Sequence, residues 1–205
     1  MSGAAGRQRS LARSMPLALF IISLLMAGRV ASAAENPRVL IRTEVGEIVV
    51  EVQASRAPLT AANFLRYVDA GAYDRTTFFR TVTIDNQPAN NIKIEVIQGG
   101  EVDAAKEFPP VVHETTRRTG LRHADGAVSM ARDKPGSATS SFFICINDQP
   151  ELDYGGRRNP DGQGFAAFGR VVAGMDVVRK VQKLPAKGQQ LVPPVKILSI
   201  SRIER

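Results

Sequence analysis

The sequence predicts a mainly β fold: a closed antiparallel barrel of eight strands with two α-helices over its open ends. Three observations lead there. Short runs of Val, Ile, Phe and Thr recur along the chain between clusters of Gly, Pro, Asn and Asp, the pattern of strands and turns. Only two segments carry helical spacing, and strands do not alternate with helices as a doubly wound parallel sheet requires. The last strand lies far from the first in sequence, and closing the sheet removes the edges that such strands would otherwise expose.

Strands are expected at 39–43 and 47–52, an opening hairpin around Glu44-Val45-Gly46, then at 77–82, 92–98, 127–131, 142–146, 165–171 and 195–202. In the second of these, Ile48, Val50 and Val52 alternate with Glu47, Val49 and Glu51, so one face is the more polar. Segment 57–71 reads as a helix: Pro58 suits the first turn, Ala61, Leu65 and Val68 recur at helical spacing, and Gly71 closes the end. A second helix is expected at 175–181, after Gly174. The connections 85–91, 133–138 and 153–164 are rich in Gly, Pro, Asn and Asp and read as binding loops on a rigid sheet. Side chains fill the interior of an eight-stranded barrel, so a substrate is expected on the outer wall or in a surface groove.

The first residues read differently. Arg7, Arg9 and Arg13 precede a short apolar run from Met15 to Ala27, and the small residues Ala31, Ser32, Ala33 and Ala34 follow. This order is that of a secretory signal peptide over residues 1–34, cleaved after Ala33 or Ala34, leaving one domain at 35–205. An exported, periplasmic location is the expectation. The leader holds four Arg and no acid, so the excess of 27 basic over 20 acidic residues shrinks from +7 to +3 in the mature chain. No dense run of Lys and Arg interleaved with aromatics remains, and nucleic acid is not an expected partner.

Hydrophobic residues make up 43% and charged residues 23%, which excludes a disordered or fibrous chain. No stretch reaches the ~20 apolar residues of a membrane-spanning helix. The single cysteine, Cys145, lies in the apolar run 142–146 and reads as a buried, inert thiol. His113 and His123 are ten residues apart with no cysteine or carboxylate cluster at ligand spacing, so no metal is expected.

Four segments carry a functional signal together: Tyr73-Asp74-Arg75-Thr76-Thr77-Phe78-Phe79-Arg80; Ile97-Gln98-Gly99-Gly100; Val128-Ser129-Met130-Ala131-Arg132 with Ser140-Ser141-Phe142-Phe143-Ile144; and Phe165-Ala166-Ala167-Phe168-Gly169-Arg170-Val171. In order and spacing the chain resembles the cyclophilin-type peptidyl-prolyl cis-trans isomerases, from about Val39 to Ile203. The resemblance implies a cyclophilin-like barrel with a proline-binding groove on its outer face and no cofactor. It places the family's catalytic arginine on Arg80, its Q-G-G glutamine on Gln98 and the phenylalanine flooring the proline pocket on Phe143. Ala131 falls beside the peptide preceding proline, and Leu152 falls in the pocket wall. Val96 and Ser141 occupy further positions of the groove.

Some positions depart from the family pattern. Phe79 replaces a histidine, Glu95 an aromatic, Val96 a methionine, Ser141 a glutamine, Glu151 a tryptophan or phenylalanine, and Phe165 a histidine or tyrosine. An insertion at 83–94 lengthens the loop before Gln98. Phe79 and Phe165 are expected to rebuild the apolar pocket lost at Glu95. The expected partners are Xaa-Pro segments of unfolded exported proteins, with a cyclosporin-type macrocycle held only weakly because of Glu151. The chain is expected to be a monomer. A reading from another class is a proline-peptide-binding chaperone or adaptor with the same fold and little or no turnover.

Overall fold

The computed structural model describes residues 36–204, together with Met1 and Gly3. Apart from those two residues, the leader 1–34 lies outside them. Among the described residues the strands are β1 (Arg38–Thr43), β2 (Gly46–Val52), β3 (Thr77–Val82), β4 (Val96–Gly99), β5 (Ala127–Met130), β6 (Phe142–Cys145), β7 (Ala166–Ala173), β8 (Ala186–Lys187) and β9 (Gln190–Arg202). The helices are α1 (Pro58–Asp69), a single turn α2 (Thr116–Thr119) and α3 (Met175–Gln182).

The sheet runs β1-β2-β7-β5-β6-β4-β3-β9, and a β1–β9 pairing closes it into an eight-stranded antiparallel barrel. The ninth, two-residue β8 only forms a hairpin with the start of β9. In β2, Ile48, Val50 and Val52 are buried while Glu47 is exposed, as the alternation requires. Phe64, Tyr73, Phe78, Phe142 and Phe168 fill the interior, and Phe64 meets Phe142 edge-on at a centroid distance of 5.5 Å. Full burial is worth about 1.5–3 kcal/mol for each large apolar side chain. The barrel is filled. A ligand therefore has only the outer wall.

Helix α1 puts Ala61, Phe64, Leu65 and Val68 into this core, and α3 adds Val178 and Val181. The N-cap of α1, Ala57, offers no capping side chain. Glu114 does so instead: its Oε2 accepts from the backbone N–H and the hydroxyl of Thr60, 54 residues earlier, both at 2.7 Å.

Two strands begin several residues from where they are expected, the others within one residue. Strand β4 starts at Val96 rather than at 92, because Gln87 takes the backbone of Ile94: Nε2 donates to its carbonyl at 2.8 Å, and Oε1 accepts from its N–H at 3.3 Å. Ladder pairing starts only beyond that point. Strand β9 starts five residues before 195, because Gln190 pairs with both Lys187 and Arg80.

Candidate active site

Register builds the site. Arg80 of β3 lies opposite Gln98 of β4, Gln98 opposite Phe143 of β6, and Phe143 opposite Ser129 of β5. Directly opposed residues share a face, so four strands present one transverse row on the outer wall. A register shift between Phe78 and Arg80 leaves Phe79 as the extra residue of a bulge. Strand β6 separates its aromatic pair: Phe142 belongs to the interior cluster, whereas Phe143 packs outside with Val96, Leu152, Ala131 and Phe165.

A cavity of about 490 Å³ opens over this row. Phe79, Arg80, Val96, Gln98, Ala131, Ser141, Phe143, Leu152 and Phe165 all line it, so the structure brings together every site residue singled out in the sequence. Phe143 floors it at 4% exposure, and the Phe165 ring meets Phe143 edge-on at 5.2 Å. The expected loss at Glu95 does not arise, because Ile94 lines the cavity while Glu95 is hydrogen-bonded to Asn147 and Gln182. Glu151 is likewise turned away, its carboxylate held by Arg157 at 2.9 Å.

The guanidinium of Arg80 is fixed on two sides by neutral oxygens. Nη1 donates to Gln98 Oε1 at 2.8 Å, while Nε and Nη2 donate to Gln189 Oε1 at 2.9 and 2.5 Å. Gln98 is oriented in turn by donating to Ser141 Oγ at 3.1 Å. An amide oxygen orients the group without cancelling its charge, and no carboxylate lies within 4.0 Å of it among the described residues. Burial lowers the Arg80 pKa, and the nearby charge of Arg158 lowers it further. The turn after Gln98 needs glycine: a Cβ at Gly99 would meet Thr77 O at 2.6 Å, and one at Gly100, where φ is +73°, would meet the Phe142 ring at 2.4 Å.

Beside the floor, the buried His123 ring stacks on Phe143 at 5.9 Å. Its Nδ1 lies 2.8 Å from Asp153 Oδ1 and its Nε2 lies 3.0 Å from Ser129 Oγ. Burial opposes a charge on Asp153, but hydrogen bonds and charge from His123, with help from Arg122, hold its carboxyl below the ordinary range. The trio packs against the aromatic floor on the same outer face of the sheet, outside the cavity lining. Cys145 is fully buried, and burial, then the charges of Asp153 and Asp125, push its thiol well above its ordinary value.

The family model described as cyclophilin type peptidyl-prolyl cis-trans isomerase/CLD matches residues 38–202. The chain belongs to this family. Peptidyl-prolyl cis-trans isomerase cyp18 of Streptomyces antibioticus is 36% identical, with 75% of this chain and 89% of that protein covered. Peptidyl-prolyl cis-trans isomerase A of Dickeya dadantii is 32% identical over 94% of this chain and 98% of its own length. A cyclophilin type isomerase structure from Cryptosporidium parvum superposes with a TM-score of 0.62 at 22% identity, covering 82% of this chain and 99% of that one, and shares the fold.

Within this cyclophilin the sequence reading missed Gln189, Ile94, Arg158 and Asn159, three of which line the cavity while Gln189 holds Arg80. Ile94 falls inside the expected strand 92–98, where nothing marks it as a wall residue, and Gln189 lies 109 residues from Arg80 in a turn without periodic signal. The insertion 83–94 is not a free loop. Asn86 Oδ1 accepts from Thr83 N–H at 2.9 Å, and its backbone carbonyl accepts from Gln189 Nε2 at 3.2 Å.

Proposed function

We propose that this cyclophilin accelerates rotation about Xaa-Pro bonds in exported proteins, with Arg80 as the catalytic residue. The observation that carries the reading is one outward cavity in which an uncompensated, half-buried guanidinium shares its walls with the Phe143 ring. Rotation about the imide meets a barrier of ~18–20 kcal/mol, because the nitrogen lone pair is delocalised into the carbonyl. In the twisted state the lone pair returns to a pyramidal nitrogen and accepts a hydrogen bond that the planar ground state cannot accept. A donor waiting there binds the transition state selectively. Arg80 suits the task because it keeps its charge and has N–H groups left after its bonds to Gln98 and Gln189.

The proline ring sits on Phe143 among Val96, Leu152, Phe79 and Phe165. Gln98, Ser141 and Ala131 border the chain leading to it. One charge-assisted hydrogen bond is worth roughly 1.5–3 kcal/mol, about ten- to a hundredfold in rate. The rest of the acceleration comes from holding the ring and the flanking chain in one orientation. The leader 1–34 supports export to the periplasm, where the chain would meet unfolded clients as a monomer. A cyclosporin-type macrocycle would occupy the same groove weakly, since Glu151 is held by Arg157 and adds no ring to the wall.

A protease-coupled Xaa-Pro assay tests the reading. Arg80→Ala should lower kcat/KM by about ten- to a hundredfold, with its melting temperature near that of the parent. A parent protein no faster than the blank would leave the proline-binding adaptor in its place.

A further inference from the structure

Charge is not shared evenly around the cavity. Arg132, next to Ala131, is neutralised by Asp161 at 2.7 and 3.0 Å. Arg80 and Arg158 have no carboxylate within 4.0 Å among the described residues. Arg158 donates from Nη1 to the Ile92 carbonyl at 2.6 Å, again a neutral acceptor. Burial lowers its pKa, and its charge reaches Arg80. Glu101, Glu107 and Asp133 also line the cavity, but none comes within 4.0 Å of either arginine. Two like charges held half-buried there disfavour each other unless an anion joins them.

The neighbouring residue adds a second observation. Asn159 lines the same wall, and its Nδ2 is a buried nitrogen with no hydrogen-bond partner. A buried donor left without an acceptor costs free energy that a ligand oxygen would recover. The loop presenting both residues is built rather than loose: Arg158 N–H donates to Glu151 O at 3.1 Å, Gly155 N–H to Gly162 O at 2.8 Å, and Gly162 N–H to Asn159 O at 3.1 Å. Of the two consecutive arginines, Arg157 turns outward to Glu151, and Arg158 turns to the cavity.

We propose that Arg158 and Asn159 form an anion subsite beside the proline pocket, which takes a carboxylate carried by the bound peptide close to its proline. The carboxylate comes either from an Asp or Glu adjacent to the proline or from a chain terminus just beyond it. The proposal rests on the isomerase reading of the same groove and deepens it: the preferred substrates are acidic around the proline.

The test uses short peptides in matched pairs, followed by exchange NMR of the cis and trans forms at low salt. One pair has Glu or Gln before proline, a second has Glu or Gln after it, and a third has a free or amidated terminus one residue past it. In at least one pair the acid should have a kcat/KM about tenfold above its neutral partner. The pair that responds identifies the source of the carboxylate. Arg158→Met should bring that ratio to about one, Asn159→Ala should reduce it, and Arg158→Lys should retain part of it. Ratios near one in all three pairs of the parent protein, or a ratio unchanged in Arg158→Met, overturn the subsite while leaving the isomerase reading intact. If no peptide is turned over, that reading falls. The same pairs measured by titration calorimetry then decide the subsite: acid preference lost in Arg158→Met supports it, and equal binding of acid and amide overturns it.

Discussion

Arg80 is useful only because its neighbours leave it charged and hold it still. Gln189 accepts two of its N–H groups and Gln98 a third, all through neutral oxygens. A neutral hydrogen bond is worth about 1 kcal/mol, so Gln189→Ala should lower kcat roughly fivefold by letting the guanidinium wander, with KM nearly unchanged. The decisive measurement is a double-mutant cycle. In an Arg80→Ala background the Gln189→Ala change should have no further effect on kcat, whereas an additive loss would mean that Gln189 serves stability alone. At this scale the motif residues were legible because four segments occur together. Gln189 was not, since nothing local marks a turn glutamine as the partner of a cation 109 residues away.

At the scale of elements, helix α1 depends on a residue from outside it. Glu114 is 1% exposed and satisfies both the backbone N–H and the hydroxyl of Thr60 in the first turn. Glu114→Ala leaves both donors buried and should cost about 1–3 kcal/mol, read as a lower urea midpoint with an unchanged slope. Glu114→Gln keeps one acceptor and should cost less. An unchanged midpoint in Glu114→Ala would mean that the helix start needs no distant cap. The helix itself was legible from Pro58 and the spacing of Ala61, Leu65 and Val68. The late start of β4 was not, because the alternation of Ile92 and Ile94 with Lys93 and Glu95 reads as a strand and cannot reveal that the Gln87 amide occupies the Ile94 backbone.

For the whole molecule, Asp153 joins distant parts of the chain through His123, which also touches Ser129 and Phe143. Its folded pKa is depressed, so its contribution to stability is present above the ordinary carboxylate value of about 4 and is lost as pH falls through the lower folded value. Asp153→Asn should therefore be less stable than the parent at neutral pH, and the gap should narrow below about pH 4. Urea midpoints measured in pH steps check this, and a gap that stays constant into strong acid would contradict it. Barrel closure was legible at this scale from strand number and spacing, since eight short strands with turns between them are stable only when their edges pair.

Local patterning determined the barrel, both principal helices and the burial of Cys145, and the family resemblance carried by four short motifs named the residues that meet in the groove. These follow from period, turn chemistry and short motifs, which act over a few residues. Tertiary structure decided the rest: the register that aligns Arg80, Gln98 and Phe143, the bulge at Phe79, the Gln189 hold, and the inward turn of Arg158 beside Asn159. Those choices depend on which distant strands and loops close over one another, and a side chain's partner across the barrel leaves no periodic trace in its own segment.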